Sequence, residues 1–203
     1  MRPGGTLRIG LLCDSREVAL WQAQCIEQLA SVEGVEIPLV VLNGNPPARS
    51  PRRGRLKALL SSGLLLWRLY DRLILSRFAK STRLRPISEV LSGYEHVTCD
   101  PIPSGKFRQV LGEHDLARIS ACNLDVLVRF GFGILSGPIL ELPKLGIWSF
   151  HHGDAQKYRG APPGFWEIFR RDPVTGVILQ KLTERLDGGV ILGRAWLKTQ
   201  ASY

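Results

Sequence analysis

Long apolar runs are missing from this chain: nothing in its 203 residues approaches the ~20 consecutive apolar positions that a membrane-spanning helix needs. A secretory leader is not expected either, because the apolar stretch after Met1 runs only from Leu7 to Cys13, with Gly10 inside it and Asp14 directly after. Cysteine is scarce. Four residues (Cys13, Cys25, Cys99 and Cys122) lie far apart and form no CxxC pair. Cys13 and Cys122 sit in or beside apolar runs and read as buried free thiols, which points to a reducing, cytoplasmic compartment. The four histidines show no HxH or HxxxH spacing, so no metal is expected. Repeats and low-complexity tracts are absent. Acidic residues are nearly absent from one segment: between Arg49 and Arg85 eleven Lys/Arg stand against the single acid Asp71. The formal net charge of +9 therefore belongs to one segment of an otherwise balanced chain, and nucleic acid is not the expected partner.

What is present suits one soluble α/β domain over 1–203, with 44% hydrophobic residues. Leu7 to Cys13 reads as a first strand, residues 17–31 as a helix with Ser15 as N-cap, and 36–42 as a second strand stopped by Asn43-Gly44-Asn45-Pro46-Pro47. This opening is how a doubly wound sheet begins. Residues 46–86 interrupt the rhythm as a basic insert of one or two amphipathic helices. The pattern then resumes: a strand at 95–99, a helix at 112–122, a nearly continuous apolar strand at 124–130, a short helix at 139–142 and a strand at 147–150. A helix at 164–170 and two paired strands at 175–182 and 190–197 complete it. The chain stops abruptly after that last strand, which predicts a piece of a longer protein.

Chemistry concentrates at the end of the 147–150 strand, in Ser149-Phe150-His151-His152-Gly153-Asp154. Carboxyl ends of parallel strands are where open α/β sheets bind ligands. The adjacent His151 and His152 point to opposite sides of an extended chain, so they do not share a metal. The distant Leu186-Asp187-Gly188-Gly189 turn adds a carboxylate, and imidazole with carboxylate suggests proton transfer. Polar residues that merely finish a strand end are the structural alternative.

In order, Ser149-Phe150-His151, Tyr158-Arg159-Gly160-Ala161-Pro162, Thr175-Gly176-Val177 and Asp187-Gly188-Gly189-Val190-Ile191 resemble the N-terminal catalytic domain of the folate-dependent formyltransferases. That superfamily includes the glycinamide ribonucleotide, methionyl-tRNA and sugar N-formyltransferases. The motifs cover about a third of the chain, and Phe132-Gly133-Ile134-Leu135-Ser136-Gly137-Pro138 resembles part of the family's pterin pocket. The resemblance implies a Rossmann-like three-layer fold with a mostly parallel central sheet. It also implies a formyl group moved from 10-formyltetrahydrofolate to a primary amine on a small molecule such as an amino sugar. By the same resemblance, His151, Asp187 and Ser149 are the catalytic set. Phe132, Ile134, Leu135, Leu140, Thr183, Glu184, Arg185 and Leu186 hold the folate, and His152, Asp154, Tyr158, Arg159 and Gly160 form the substrate loop.

The chain departs from the family at Ser149, where the pattern has asparagine. A serine hydroxyl is shorter than an amide and donates only one hydrogen, so it reaches a developing oxyanion through water. Three consequences stay open: a neighbour such as His152 compensates, the reaction differs, or activity is weak. The rivals are hydrolysis of the same donor, suggested by the His151-His152 pair, and a non-catalytic module that binds a ligand or surface. For the Arg49–Arg85 segment, packing on the sheet competes with an anionic membrane surface, which would make the protein peripheral at the inner face of the membrane, and with a phosphate-rich partner.

Overall fold

The computed structural model describes residues 5–46, 80–154, 157–158, 164–185 and 188–200. In chain order these form β1 (Leu7–Cys13), β2 (Glu17–Ala19), α1 (Leu20–Ala30), β3 (Val35–Asn43), β4 (Leu84–Pro86), β5 (Glu95–Cys99), β6 (Ile102–Ser104), β7 (Arg108–Val110), α2 (Glu113–Ala121), β8 (Val126–Arg129), β9 (Ile134–Leu135), β10 (Ile147–His152), α3 (Phe165–Phe169), β11 (Val174–Lys181) and β12 (Val190–Lys198). Seven strands make one sheet in the order β12-β11-β10-β8-β1-β3-β5. From β10 to β5 all pairings are parallel, while β11 and β12 add antiparallel at the other edge. This is the mostly parallel α/β sheet that the sequence predicts.

Alternation along each strand sends side chains to two faces. Ile9, Leu11, Cys13, Val40, Leu42, Val126 and Val128 pack with Ile26 of α1. Leu12, Leu39, Val41, Leu127 and Ile147 pack on the other face with Ile119 of α2 and with Leu135, Ile139 and Leu140. Both faces are covered, so the central strands read as near-continuous apolar runs.

Four local expectations are corrected. Helix α1 starts at Leu20, because Glu17–Ala19 pairs antiparallel with Leu84–Pro86 at the end of the expected helical insert. Ser15 does not cap it; its hydroxyl donates to the Glu17 carbonyl at 2.7 Å, and the Gln22 side chain instead accepts the Ala19 N–H at 2.9 Å. The short helix expected at 139–142 is a single 3₁₀ turn at Pro138–Leu140. A small sheet of β6, β7 and β9 was not anticipated. Residues 47–79, with most of the basic segment, lie outside the described residues. Among the described residues no helix is long and apolar enough to cross a membrane.

The buried thiols are Cys13 and Cys99, whereas Cys122, expected to be buried, is half-exposed like Cys25. Burial pushes the Cys13 and Cys99 thiols up to about 12. Both are raised above the unfolded value, so their contribution to stability is complete below pH ~9 and lost as pH climbs toward 12. Burial thus keeps the Cys13 and Cys99 thiols protonated and unreactive at pH 8. An alkylating reagent at pH 8 is therefore expected to modify Cys25 and Cys122 in the folded protein. Cys13 and Cys99 should react only after denaturation, as read by mass spectrometry.

Strands leave β1 in opposite directions across the sheet, so the switch point lies between β1 and β8, where doubly wound sheets open a crevice. Asp14 ties this edge together: one carboxylate oxygen accepts the Phe132 N–H at 2.7 Å and the Asn43 side-chain amide at 2.9 Å. Phe132, a non-glycine residue at φ 64°, is held in this unfavourable region by that bond.

Candidate active site

Period-2 alternation puts Arg129 of β8 beside Leu127 on the α2 face, and Ser149 and His151 of β10 on the same face as Ile147. Register then aligns them, with Ser149 opposite Arg129 on one side and Gln180 on the other, and His151 opposite Ile178. Arg129, His151 and Gln180, with Ile134, Leu135, Phe150, Leu182, Thr183, Glu184, Arg185 and Gly189, line one pocket of about 190 Å³ at the carboxyl ends of the strands. The half-buried His151 ring has a fully buried Nε2 with no hydrogen-bond partner among the described residues.

The loop from β11 to β12 forms the far wall. Glu184 fixes it: one oxygen accepts the Gly137 N–H at 2.6 Å, the other pairs with Arg108 at 3.4 Å, and Arg108 also donates to the Glu184 carbonyl at 2.8 Å. Thr183 closes the turn by donating to the Gly188 carbonyl at 3.1 Å.

Of the residues named from the sequence, His151, Ile134, Leu135, Thr183, Glu184 and Arg185 meet around this pocket, with buried Ser149 beneath it. Phe132 and Leu140 do not line it; they belong to the core packed around α2. His152 faces the other side, its ring edge-on to Trp21 at 5.1 Å in a cluster with Phe130 and Phe150. Partial burial, then the neighbouring His151, lower its imidazole below the ordinary value. Tyr158 hydrogen-bonds Asp172, which raises its phenol, and lies under Arg170 at 5.4 Å, so it is tied to the end of α3. The Asp154 carbonyl accepts the N–H groups of Lys157 and Tyr158. Asp187, Leu186, Arg159 and Gly160 lie outside the described residues.

Sequence reasoning missed Arg129. Its Nε donates to Ser149 Oγ at 3.2 Å, and Nη1 donates to the Phe132 and Gly133 carbonyls at 3.2 and 2.9 Å. Burial lowers its pKa and Asp14 opposes the shift, but a guanidinium stays charged. The available signal was parity: a cation two residues after Leu127 faces the α2 side. Glu167 was missed too. It is 2% exposed on α3, and its unpartnered Oε1 lies beside Gly153. Among the described residues no group of His, Cys, Asp and Glu could hold a metal ion.

A mostly parallel sheet with a polar pocket at its strand ends defines the class: a doubly wound α/β domain with a candidate ligand site where such sheets bind ligands. No family model matches the chain. A methionyl-tRNA formyltransferase of Prochlorococcus marinus is 41% identical over 83 residues, covering 40% of this chain and 24% of that protein. The phosphoribosylglycinamide formyltransferase of Anaplasma phagocytophilum shares the fold at TM-score 0.57 and 18% identity, over 96% of this chain and 74% of the other. The formyltetrahydrofolate deformylase of Pseudomonas putida KT2440 does so at TM-score 0.57 and 11% identity, over 99% of this chain and 57% of the other. Part of the chain is thus similar in sequence to methionyl-tRNA formyltransferases, and its fold is the one seen in solved formyltransferase and deformylase structures. Its match spans about a quarter or less of the length of the curated relatives.

Proposed function

We propose that this domain transfers the formyl group of 10-formyltetrahydrofolate, consumed as a substrate, to a primary amine on a small molecule such as an amino sugar. The observation that carries the reading is the orphaned His151 Nε2 in the wall of a pocket whose other wall is the 183–185 backbone. A buried polar nitrogen without a partner is costly unless a ligand completes it. The donor fits the residues present: Ile134, Leu135 and Leu182 offer apolar contact to a flat heterocycle, and the backbone at Thr183 to Arg185 offers groups for its polar edge. The donor supplies an activated formyl carbon. His151 then hydrogen-bonds the carbonyl oxygen as negative charge builds there, and Asp187 takes the proton released by the attacking amine. A cytoplasmic location goes with this reading.

Calorimetric titration with a 10-formyl-folate analogue that cannot give up its formyl group is expected to show saturable binding, in the range of about 1 μM to 1 mM typical of substrates. Incubation with the true donor should then release tetrahydrofolate only when a primary amine is added. Release of formate without amine would replace transfer by hydrolysis. No binding of the analogue would overturn both.

A further inference from the structure

We propose that Arg129 is the cationic donor of this site, its Nη2 directed to the carbonyl oxygen of the formyl group, and that Ser149 serves to hold it. The inference rests on the formyl-transfer reading above. Arg129 makes no ion pair among the described residues, although it is drawn into the pocket wall. Its three contacts are with neutral oxygens, and they use Nε and Nη1 only. The guanidinium fork is rigid, so fixing Nε and Nη1 also fixes Nη2, whose two N–H groups have no partner among the described residues. Asp14 offsets part of the cost of burying this cation without pairing with it directly, so a partly desolvated guanidinium with a free Nη2 still attracts negative charge, and in this pocket such charge would arise beside His151.

The chemistry then balances. The amine lone pair forms the new N–C bond while the carbonyl π pair moves onto oxygen, toward Arg129 and His151. When the pair returns, the C–N10 bond breaks and N10 takes the proton that the amine lost. The same geometry gives Ser149 a purpose. Its side chain is 1% exposed and its Oγ accepts from Arg129, so a longer amide there would occupy the space that the guanidinium uses.

Arg129→Ala is expected to lower kcat by about 10²-fold or more, with the KM for the formyl donor changed only a few-fold. Arg129→Lys, which keeps the charge but loses the fork, should recover part of that loss. Ser149→Asn alone should lower activity, whereas Ser149→Asn in the Arg129→Ala background should raise it, because the amide then enters vacated space as a donor. A readout independent of turnover is calorimetric affinity for a hydrated-aldehyde folate analogue, whose tetrahedral carbon carries the oxygens. That affinity should fall at least tenfold in Arg129→Ala, while affinity for folate itself stays the same. If Arg129→Ala keeps wild-type kcat and analogue affinity, or Ser149→Asn alone increases activity, the assignment of Arg129 is wrong while formyl transfer stands. Wild-type protein that binds no folate overturns both.

Discussion

His151→Ala is expected to lower formyl transfer by about 10³-fold or more, with the melting temperature nearly unchanged. General acid–base or hydrogen-bond assistance by one positioned imidazole contributes typically ~10²–10⁴ in rate, and loss of a donor at a developing oxyanion typically costs ~10²–10³. His151 combines the two roles. Its fold contribution is slight, because Nε2 bonds nothing among the described residues and its removal leaves no protein group unpaired. Strand pairing opposite Ile178 runs through the backbone and survives the change. Steady-state kinetics and a thermal melt on the same sample separate the two effects. Full activity in the variant would exclude catalysis here and favour a module that only binds.

Gly131→Ala should do the reverse, costing about 3 kcal/mol or more of stability before any chemistry is reached. Gly131 follows β8 where the chain passes β1, and its N–H donates to the Leu12 carbonyl at 2.8 Å. A Cβ there would lie 2.3 Å from the Asp14 nitrogen and 2.7 Å from the Cys13 carbonyl carbon. Those are backbone atoms of a buried strand end and cannot step aside as a flexible side chain would. Its φ lies outside the left-handed region, so space and not conformation demands glycine. A fall in melting temperature of about 10 °C is expected for a domain of this size. Gly193→Ala on β12 is the control: nothing lies within 4 Å of its Cβ position, and no loss is expected. Equal melts for the two variants would refute the close-approach account.

The sheet was legible where burial on both faces writes itself as an unbroken apolar run, as in Val126-Leu127-Val128 and Leu39-Val40-Val41. It was illegible where a strand exists only because a distant one pairs with it. Glu17–Ala19 has its partner at Leu84–Pro86, and no local pattern carries that information. At the site, the imidazole was readable because His151 sits in a motif. Arg129 was not, because its role depends on register: only the Ser149–Arg129 pairing turns a strand-end cation into a pocket wall. Phe132, Leu135 and Leu140 share one core cluster but only Leu135 also lines the pocket, a distinction invisible in sequence because an apolar residue near a pocket motif looks the same whether it faces ligand or core.

The Asp14 tie has a consequence for how such a site can diverge. Its carboxylate grips the backbone of Phe132 and the amide of Asn43, none of which lines the pocket. The floor of the crevice thus keeps one anchor that no wall residue supplies, beside the bond that Arg129 makes to the Phe132 carbonyl. A lineage that exchanges the donor groups on β8 and β10, or the molecule they serve, still retains the Asp14 anchor between the strand ends. Inventiveness in the reaction and conservatism in the scaffold are assigned to different side chains.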